Sequence, residues 1–396
     1  MNLQVEPPAE KKTPPPALPS TSPSFSLLPD EIAVNCLARI SRAYYPRYSI
    51  ISKSFRSLLS SKDLYSARSQ TGSTEQCLYV CLSDEKCPRW YTLWINPNRT
   101  TLDKTTHGNS LAPIPSSEFT SVSQSTLVVD SEIYVIGGPI KTEPSCPSST
   151  VRILDCRTHT WRDAPSMIVA RKDALACFYD GKIYVMGGCG ELEEPWAEVL
   201  DVKTQTWEPL SDPGAEIRRC VFHRIKDIKG KIYFWYSYRT YGYAYDINRD
   251  NWESVEELEK SACLMDGGVL YHRIPESACV LDDVWYDLCP GSYCWWTKDG
   301  EHWRVVKGLD SLMIMFDING GFIGNTAKLV GCGGKLLFMW EVYREHDPSN
   351  MKKIWCAEIT METDNEGQVW GKFGWIDIVQ RVPTHCALLR CLVASV

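Results

Sequence analysis

Two segments of this chain are near copies of each other. Residues 133–138 (Ile-Tyr-Val-Ile-Gly-Gly) and residues 183–188 (Ile-Tyr-Val-Met-Gly-Gly) begin fifty positions apart. Downstream of each copy an Asp is followed six residues later by a Trp, and a third such pair keeps the same step. The three pairs are Asp155 and Trp161, Asp201 and Trp207, and Asp246 and Trp252. A repeat of this length is one supersecondary unit, which buries its apolar faces only against the next copy. The chain is therefore predicted to be a repeat array.

The residues of the repeat predict β-structure. Alternating apolar residues such as Ile133 and Val135 are typical of a strand packed on both faces, and the Gly doublet ends that strand where the backbone needs a positive φ or a close approach. Residues 130–131 and 180–181 precede these runs as tight hairpin turns. A Trp on the last strand of the repeat, such as Trp161, can fill the wedge between adjacent four-stranded sheets. This combination predicts a β-propeller, whose ring of blades leaves no long free edge.

The repeat resembles that of the kelch family, which carries a strand, a Gly-Gly doublet and spaced Tyr and Trp residues. The resemblance implies an all-β, kelch-type propeller, and counting weaker copies gives six blades between about residues 76 and 396. The weaker copies are marked by Asn96 and Leu102, by Thr297 and Trp303, and by a last repeat that ends near Trp370. We expect residues 384–396 to form a strand that pairs with the first blade and closes the ring. The repeated Trp and Gly residues are expected to be core and turn positions without a direct role in function.

A different kind of segment precedes the propeller. After residues 27–31 (Leu-Leu-Pro-Asp-Glu), apolar residues recur at helical spacing, with Pro29 suited to the first helical position and the acidic pair to the positive end of the helix dipole. A second helical set runs from Ile50 to Leu59, and a third helix begins at residues 60–65. Three short helices make too small a core to be stable alone. We therefore expect this all-α segment to bury apolar surface against a partner.

The order of these helices resembles the F-box. Residues 28–32 (Leu-Pro-Asp-Glu-Ile) are followed by a run of about twenty residues and then by residues 51–59 (Ile-Ser-Lys-Ser-Phe-Arg-Ser-Leu-Leu). An F-box at residues 25–70 before kelch repeats resembles the plant F-box/kelch-repeat proteins. The resemblance implies that the F-box binds a Skp-type adaptor linked to a cullin scaffold, and that the propeller holds a protein substrate for ubiquitination and proteasomal degradation. At the level of the family, a metabolic enzyme is a reasonable expectation for that substrate.

By position, the resemblance carries adaptor contacts onto nine residues of this chain. They are Leu28, Pro29, Ile32, Leu37, Ile40, Ile51, Phe55, Leu58 and Leu59. Phe55 departs from the pattern, since many F-boxes have Trp there. Residues 44–48 (Tyr-Tyr-Pro-Arg-Tyr) are also bulkier than the Leu-Pro-rich connection of the wider family. Neither departure removes the apolar surface that an adaptor would cover.

The substrate surface is expected at the rim of the propeller, because kelch propellers commonly bind through residues that enter the inner strand of each blade. Arg171 stands in that position, and Arg218 and Arg219 stand near the equivalent place in the next blade. Convergent guanidinium groups would favour an acidic loop or a carboxylate. Tyr241 belongs to an aromatic-rich loop of the kind found at interface hot spots. These residues could equally be ordinary polar rim positions, or face the neighbouring blade.

Three other functions stay open at this point. The chain could be a kelch scaffold or ligand sensor outside a ubiquitin ligase, with a vestigial F-box, or its helices could be a cap packed only on the propeller. Propellers with kelch-like repeats also include copper oxidases, whose site needs imidazole and phenolate ligands at the centre of the ring. The seven histidines are scattered, and neither a phosphate-binding Gly-rich loop nor a nucleophile elbow is recognisable. We therefore expect no catalytic residue, no cofactor and no metal.

Composition favours the cytoplasm and/or the nucleus. The chain has 17 cysteines, an odd number without a Cys-x-x-Cys pair, which predicts reduced thiols rather than a disulfide framework. A net charge of -7 without a basic stripe gives no basis for nucleic-acid binding. No apolar run approaches the ~18 to 20 residues that cross a bilayer, so no membrane partner is expected. Residues 1–24 are rich in Pro and are predicted to be a disordered tail.

Overall fold

A computed structural model of the chain covers parts of both expected regions. The described residues are 28–83, 88–95, 108–115, 125–138, 146–220, 222, 224–228, 230–235, 242–255, 263–264, 270–271, 279–289, 293–298, 304–312, 314, 327–343 and 351–396. The predictions made for the tail at 1–24, for Asn96, for Leu102, for Tyr241 and for Trp303 lie outside these residues.

Four α-helices form the region between residues 30 and 70. They are α1 (Asp30–Ala38), α2 (Tyr45–Ser49), α3 (Lys53–Leu59) and α4 (Lys62–Gln70), with a 3-10 turn at Arg42–Tyr44. The hydroxyl oxygens of Ser52 and Ser61 accept hydrogen bonds from the backbone N–H groups of Phe55 and Leu64, which sets the starts of α3 and α4. The sequence pattern predicts three helices. The additional helix α2 is compatible with Pro46, because Pro lies in its first turn, where the missing N–H costs nothing.

Only some of the apolar residues of α1 are buried. Ala33, Val34 and Leu37 are buried, whereas Ile32 and Cys36 are exposed. Small residues on α1 and α4 belong to the same buried cluster, so the two helices pack closely through them. The larger Ile32 side chain therefore stays on the outer face of α1.

Arg68 on α4 is the polar centre of the helical region. Its guanidinium, 1% exposed, donates hydrogen bonds to the carbonyl oxygens of Ala38 at 3.2 Å and Ile40 at 2.8 Å and to the hydroxyl of Tyr45 at 2.9 Å. These carbonyls lie at and just beyond the C-terminal end of α1, where backbone acceptors lack helical partners. Arg68 thereby fixes the end of α1 against α4.

Six four-stranded antiparallel sheets follow as the blades of a β-propeller, as the sequence predicts. The strands of blades 1 to 3 are β1 (Gln76–Leu82), β2 (Arg89–Trp94), β3 (Ser110–Pro113); β4 (Thr126–Val129), β5 (Glu132–Ile136), β6 (Val151–Asp155), β7 (Thr160–Ala164); and β8 (Leu175–Tyr179), β9 (Lys182–Met186), β10 (Ala197–Asp201), β11 (Thr206–Pro209). A short helix, α5 (Ala215–Arg218), precedes blade 4.

Blades 4 to 6 complete the ring. Their strands are β12 (Arg224–Ile228), β13 (Lys231–Trp235), β14 (Gly242–Asp246), β15 (Asn251–Val255); β18 (Cys279–Leu281), β19 (Val284–Cys289), β20 (Tyr293–Thr297), β21 (Arg304–Val305); and β22 (Lys328–Cys332), β23 (Lys335–Val342), β24 (Met351–Thr363), β25 (Val369–Pro383). A two-stranded ribbon, β16 (Cys263–Leu264) and β17 (Leu270–Tyr271), lies between blades 4 and 5 in the sequence.

The C-terminal strand β26 (Leu388–Ser395) supplies the inner strand of blade 1. It pairs antiparallel with β1, and beyond its end the backbones of Glu75 and Val396 exchange two hydrogen bonds of 2.8 Å. Strand β26 also lies beside β22 and β4, the inner strands of the two neighbouring blades. Blade 1 therefore joins the two ends of the propeller in one sheet.

The repeated Trp residues fill equivalent wedges in three successive blades. Each packs in the apolar cluster between its own blade and the preceding one, as predicted. Each indole N–H also donates a hydrogen bond to a carbonyl oxygen of the connection that leads into its own blade. The pairs are Trp161 with Pro115 at 3.1 Å, Trp207 with Pro165 at 2.8 Å and Trp252 with Ser211 at 2.9 Å. The Trp thus binds both the apolar wedge and the polar backbone of the linker.

The second Gly doublet ends β9 for both of the reasons that the sequence suggests. Gly187 and Gly188 have φ angles of 68° and 70°. A Cβ atom on Gly188 would lie 2.6 Å from both the backbone nitrogen of Ala174 and the carbonyl oxygen of Lys172. Any larger residue at this position would separate blade 3 from the connection that precedes it.

The connections of the propeller divide between two opposite faces, because antiparallel strands alternate in direction. One face carries the turns within strand pairs, such as residues 156–159 and 202–205, and we call it the short-turn face. The other carries the connections from second to third strands and between blades, such as residues 165–174, 187–196 and 210–220, and we call it the long-loop face.

Candidate functional site

The helical region docks on the short-turn face of the propeller. Both terminal nitrogens of Arg42 donate to the carbonyl oxygen of Cys156, in the turn after β6, at 3.3 Å. The indole N–H of Trp94, at the end of β2, donates to the carbonyl oxygen of Ala43 at 3.0 Å. Tyr65 of α4 packs into the apolar cluster between blades 1 and 2. The helices therefore lie on the opposite side of the propeller from the long loops.

Glu75 anchors the linker between the helices and β1. Its carboxylate accepts a hydrogen bond from the backbone N–H of Arg42 at 2.8 Å and lies 3.2 Å from Nη2 of Arg68. Because the backbone of Glu75 is also bonded to Val396, one residue ties the helices, the linker and the closing strand together. The orientation of the helical region on the propeller is thus fixed by polar contacts at several points.

The structure separates the nine residues expected to contact an adaptor by their burial. Leu37 and Leu59 are buried in the helical core, so the structure corrects their assignment as adaptor contacts, because periodicity identifies apolar positions but does not distinguish a core from an interface. Ile40, Phe55 and Leu58 pack partly buried against the same cluster and keep part of their surface in solvent, so their contact with an adaptor stays a prediction.

The remaining four residues are exposed, and a neighbour joins them. Exposed fractions are 39% for Leu28, 49% for Ile32 and 60% for Ile51, and Pro29 is also exposed. Ile50, which the sequence pattern assigned to a helix without a role, is exposed by 77% in the short segment before α3. We call Leu28, Pro29, Ile32, Ile50 and Ile51 the F-box apolar set. Large apolar side chains that a fold leaves in water are a feature of interaction surfaces.

Arg171 does not lie on the rim where the sequence interpretation places it. Its side chain is 0% exposed and forms an ion pair of 2.9 Å with Glu198, which is equally buried. Its remaining donors bind carbonyl oxygens of the 187–196 loop, at 2.7 Å each. Every part of the guanidinium is used by the fold, so Arg171 holds the loop and is removed from the expected binding surface.

Arg218 also has internal partners, whereas Arg219 is exposed. Arg218 lies 2.8 Å from Asp212 and 3.3 Å from Glu194 and donates to the carbonyl oxygen of Glu191 at 3.0 Å. The hydrogen bond from Arg218 lowers the pKa of the Asp212 carboxyl, so this pair stays charged at neutral pH. Arg171 therefore does not converge with Arg218 and Arg219 on the rim, and contact of the latter two with a substrate stays a prediction.

Two apolar side chains are exposed on the long-loop face instead. Ile168, between blades 2 and 3, is 50% exposed, and Leu192, at the tip of the 187–196 loop, is 95% exposed. The Arg171–Glu198 pair holds both connections. Arg171 binds the 187–196 loop, and Glu198 accepts the backbone N–H of Ile168, in the 165–174 connection, at 2.7 Å. The loops thus present apolar tips on a rigid base.

Sequence reasoning missed both Glu198 and Arg42. Glu198 lies in a strand of buried residues, and a charged residue within such an apolar run was the signal that could have identified a buried partner for Arg171. Arg42 follows α1 in a polar segment that carries no comparable signal. Its charge nevertheless affects its surroundings: burial, reinforced by Arg42, lowers the pKa of His159 to about 4.

Among the described residues, no group of three or more His, Cys, Asp or Glu side chains is arranged to hold a metal ion. None of the helices in the described ranges is long and apolar enough to cross a membrane.

Comparison with protein families identifies both regions. A model described as the F-box domain matches residues 25–67, and a model described as FKB95, kelch-repeats domain, matches residues 90–380. The first match covers the first three helices and most of α4, and the second covers most of the propeller.

Comparison with curated proteins extends the match to the whole chain. Two F-box/kelch-repeat proteins of Arabidopsis thaliana are 52% and 50% identical, with 100% of this chain and 100% of each relative covered. A third F-box/kelch-repeat protein of Arabidopsis thaliana is 39% identical, over 100% of this chain and 98% of its own length. The order of helices and propeller is therefore shared with these relatives from end to end.

Proposed function

The chain belongs to the F-box/kelch-repeat protein family, and from that premise we propose that it is the substrate receptor of a Skp–cullin–F-box ubiquitin ligase. In this role the F-box binds a Skp-type adaptor, which links it to a cullin scaffold, and the propeller holds a protein substrate. The chain itself supplies no catalytic group. It raises the effective concentration of a substrate lysine near the activated ubiquitin, which accelerates transfer through proximity alone.

The exposure of the F-box apolar set is the observation that carries this proposal. Leu28, Ile32, Ile50 and Ile51 are each at least 39% exposed, although the same helical region buries Tyr65 of α4 against the propeller. One part of the helical region is thus used within the chain, and another leaves apolar side chains in water. An adaptor that covered them would remove this surface from solvent. Burial of apolar surface is favourable by roughly 25 cal/mol for each Å².

We further propose that the substrate binds on the long-loop face. The F-box occupies the short-turn face through Arg42 and Trp94, so a substrate on the long-loop face would not compete with it for space. Ile168, Leu192 and Arg219 are the exposed side chains there that would contact it. A metabolic enzyme remains the expected class of substrate, and the cytoplasm or nucleus the expected compartment, both from the family.

Adaptor binding tests the proposal. A purified Skp-type adaptor is titrated against the intact chain and against a Leu28→Ala, Pro29→Ala double variant. We expect binding to the intact chain and loss of binding in the double variant, because both side chains are exposed and their removal leaves the helical core intact. Leu192→Ala, which also shortens an exposed Leu, is the matched control and should bind the adaptor like the intact chain.

The same experiment separates the proposal from its main rival. A folded intact chain that binds no Skp-type adaptor would exclude the ligase role and would favour a kelch scaffold or ligand sensor with a vestigial F-box. If the adaptor binds, substrates are sought next, among proteins that the intact chain captures and an Ile168→Asp, Leu192→Asp variant does not.

A further inference from the structure

An open cleft lies where the helical region meets the short-turn face. Its volume is about 850 Å³, within the range of pockets that bind drug-sized molecules. Residues of the helical region, among them Arg42, Tyr45 and Arg56, line one side, and residues of the propeller, among them Trp94 and Arg157, line the other. Ligand pockets occur preferentially at such junctions between domains, because two independently packed surfaces meet there without filling the space.

The charges that line this cleft are unequal. Three guanidinium groups, those of Arg42, Arg56 and Arg157, face a single carboxylate, that of Glu75. Glu75 already binds Arg68, and Arg157 is paired with Asp155 at 2.9 Å. Arg42 and Arg56 therefore have no carboxylate partner among the residues that line the cleft.

Arg42 has hydrogen-bond partners but no counter-charge. Its guanidinium donates to the carbonyl oxygen of Cys156, lies 3.8 Å from the sulfur of Cys77 and stands 5.6 Å from the centre of the Tyr65 ring. Across the ranges of the chain that the structure describes, no carboxylate lies within 4.0 Å of it. A half-buried cation without an anion costs free energy, because its low-dielectric surroundings solvate the charge less well than water does.

The guanidinium of Arg56 has hydrogen-bond donors that no described residue uses. It lies at the exposed side of the cleft, and its Nε donates to the carbonyl oxygen of Ser49 at a long 3.4 Å. Its two terminal nitrogens form no hydrogen bond with any of the described residues. A planar guanidinium with two free terminal donors matches the two oxygens of a carboxylate or sulfonate.

The rest of the lining is mainly apolar. Tyr45, Trp94 and Ile95 contribute large side chains, and Ile95 is 40% exposed. The Trp94 indole is held in place by its bond to Ala43, so the ring offers a rigid apolar wall. Such a wall beside free cations suits a ligand that is apolar over most of its surface and anionic at one end.

We propose that this cleft binds a small organic anion that carries one carboxylate or sulfonate on an apolar ring system. The acidic group lies against Arg42 and Arg56, and the rings lie against Trp94 and Ile95. Because both sides of the cleft contribute contacts, the bound ligand also strengthens the docking of the F-box on the propeller. This site is separate from the F-box apolar set and from the long-loop face, and it does not depend on the ligase function.

A matched pair of fluorescent probes tests the site in the intact chain. Anilinonaphthalenesulfonate is an aromatic monoanion, and N-phenylnaphthylamine has the same ring system without the sulfonate. We expect one equivalent of the sulfonate to bind, at least about tenfold more tightly than the neutral amine, since a charge-assisted hydrogen bond contributes that much. Binding of the sulfonate should also raise the midpoint of thermal unfolding, because it links the two regions.

Variants locate the binding. Arg56→Gln and Arg42→Gln should each abolish the preference for the sulfonate over the amine, whereas Arg381→Gln, an exposed Arg on β25 outside the cleft, should leave it unchanged. If Arg42→Gln fails to fold because the contacts of its guanidinium with the turn after β6 are lost, Arg56→Gln still decides, since Arg56 is exposed. Equal affinity for both probes, or a preference that survives in Arg56→Gln, would overturn the proposal.

Discussion

Arg171 and Glu198 form an ion pair in which both side chains are 0% exposed, with Nε of Arg171 2.9 Å from Oε1 of Glu198. Arg171 also donates to three carbonyl oxygens of the 187–196 loop, and Glu198 accepts the backbone N–H of Ile168. The pair therefore holds two long loops on β10, and its first consequence concerns stability.

Replacing Arg171 with Met should lower the free energy of unfolding by about 3 to 5 kcal/mol, because it leaves the Glu198 carboxylate buried without its counter-charge. Glu198→Gln should cost less, about 1 to 3 kcal/mol, since the amide keeps the shape and one acceptor oxygen. Urea unfolding followed by Trp fluorescence gives both values. A loss below about 1 kcal/mol for Arg171→Met would show that the pair is not the anchor of these loops.

His159 should make stability depend on pH below neutrality. Burial, with a contribution from Arg42, lowers its pKa from 6.5 to about 4. The folded chain therefore disfavours the protonated ring, so the stability that neutral His159 provides is present above pH 6.5 and is lost as the pH falls towards 4. The loss is at most about 3 kcal/mol. In His159→Gln, urea midpoints measured across this range should vary less with pH. An identical pH dependence in the variant would contradict the assignment to His159.

Cys36 should report adaptor binding directly. It is exposed on α1 one helical turn after Ile32, so it lies on the same side of the helix. We expect an alkylating reagent to modify Cys36 in the free chain and to do so much more slowly once a Skp-type adaptor is bound. Cys81 serves as the internal reference: burial raises the pKa of its thiol, so it should stay unmodified in both states. Peptide mass spectrometry distinguishes the sites, and equal Cys36 labelling with and without bound adaptor would place the adaptor elsewhere.

Gly188 and Gly181 make a matched pair for the packing between blades. Both have a positive φ, of 70° and 74°, but only Gly188 has backbone atoms within 3 Å of an added Cβ. Gly181→Ala should cost about 1 to 2 kcal/mol, the strain of a left-handed conformation. Gly188→Ala should cost more, because it also displaces Lys172 and Ala174. Unfolding free energies of the two variants test this, and equal costs would mean that the connection moves away without penalty.

The propeller architecture could be predicted from local sequence because the residues that define each repeat make their contacts within that repeat or with its neighbour. Trp161, Trp207 and Trp252, each six residues after an Asp, pack between neighbouring blades, and both Gly doublets meet the 165–174 connection. Asp155 and Asp201 likewise accept backbone N–H groups in the turn that follows them. These are contacts within one repeat or between adjacent repeats, so they recur with the sequence.

The candidate sites were less predictable because they depend on contacts between distant segments. Leu37 and Ile32 are both apolar residues of one short helix, and only packing against α4 decides that the first is buried and the second exposed. Arg171 resembles a rim residue until Glu198, 27 positions later, folds against it. The junction cleft combines Arg42 with turns from blade 2 and blade 6, which no local pattern brings together.

The central claim is that the F-box apolar set binds an adaptor while the long-loop face is left for a substrate. Ile32 and Ile168 are exposed to nearly the same extent, 49% and 50%, on these two surfaces, so the same change can be made at both. The decisive measurement is a calorimetric titration of a Skp-type adaptor into Ile32→Asp and Ile168→Asp. We predict that Ile32→Asp weakens binding by at least about tenfold, because it places a charge in the apolar interface, and that Ile168→Asp binds like the intact chain. Unchanged binding in a folded Ile32→Asp variant would contradict the account.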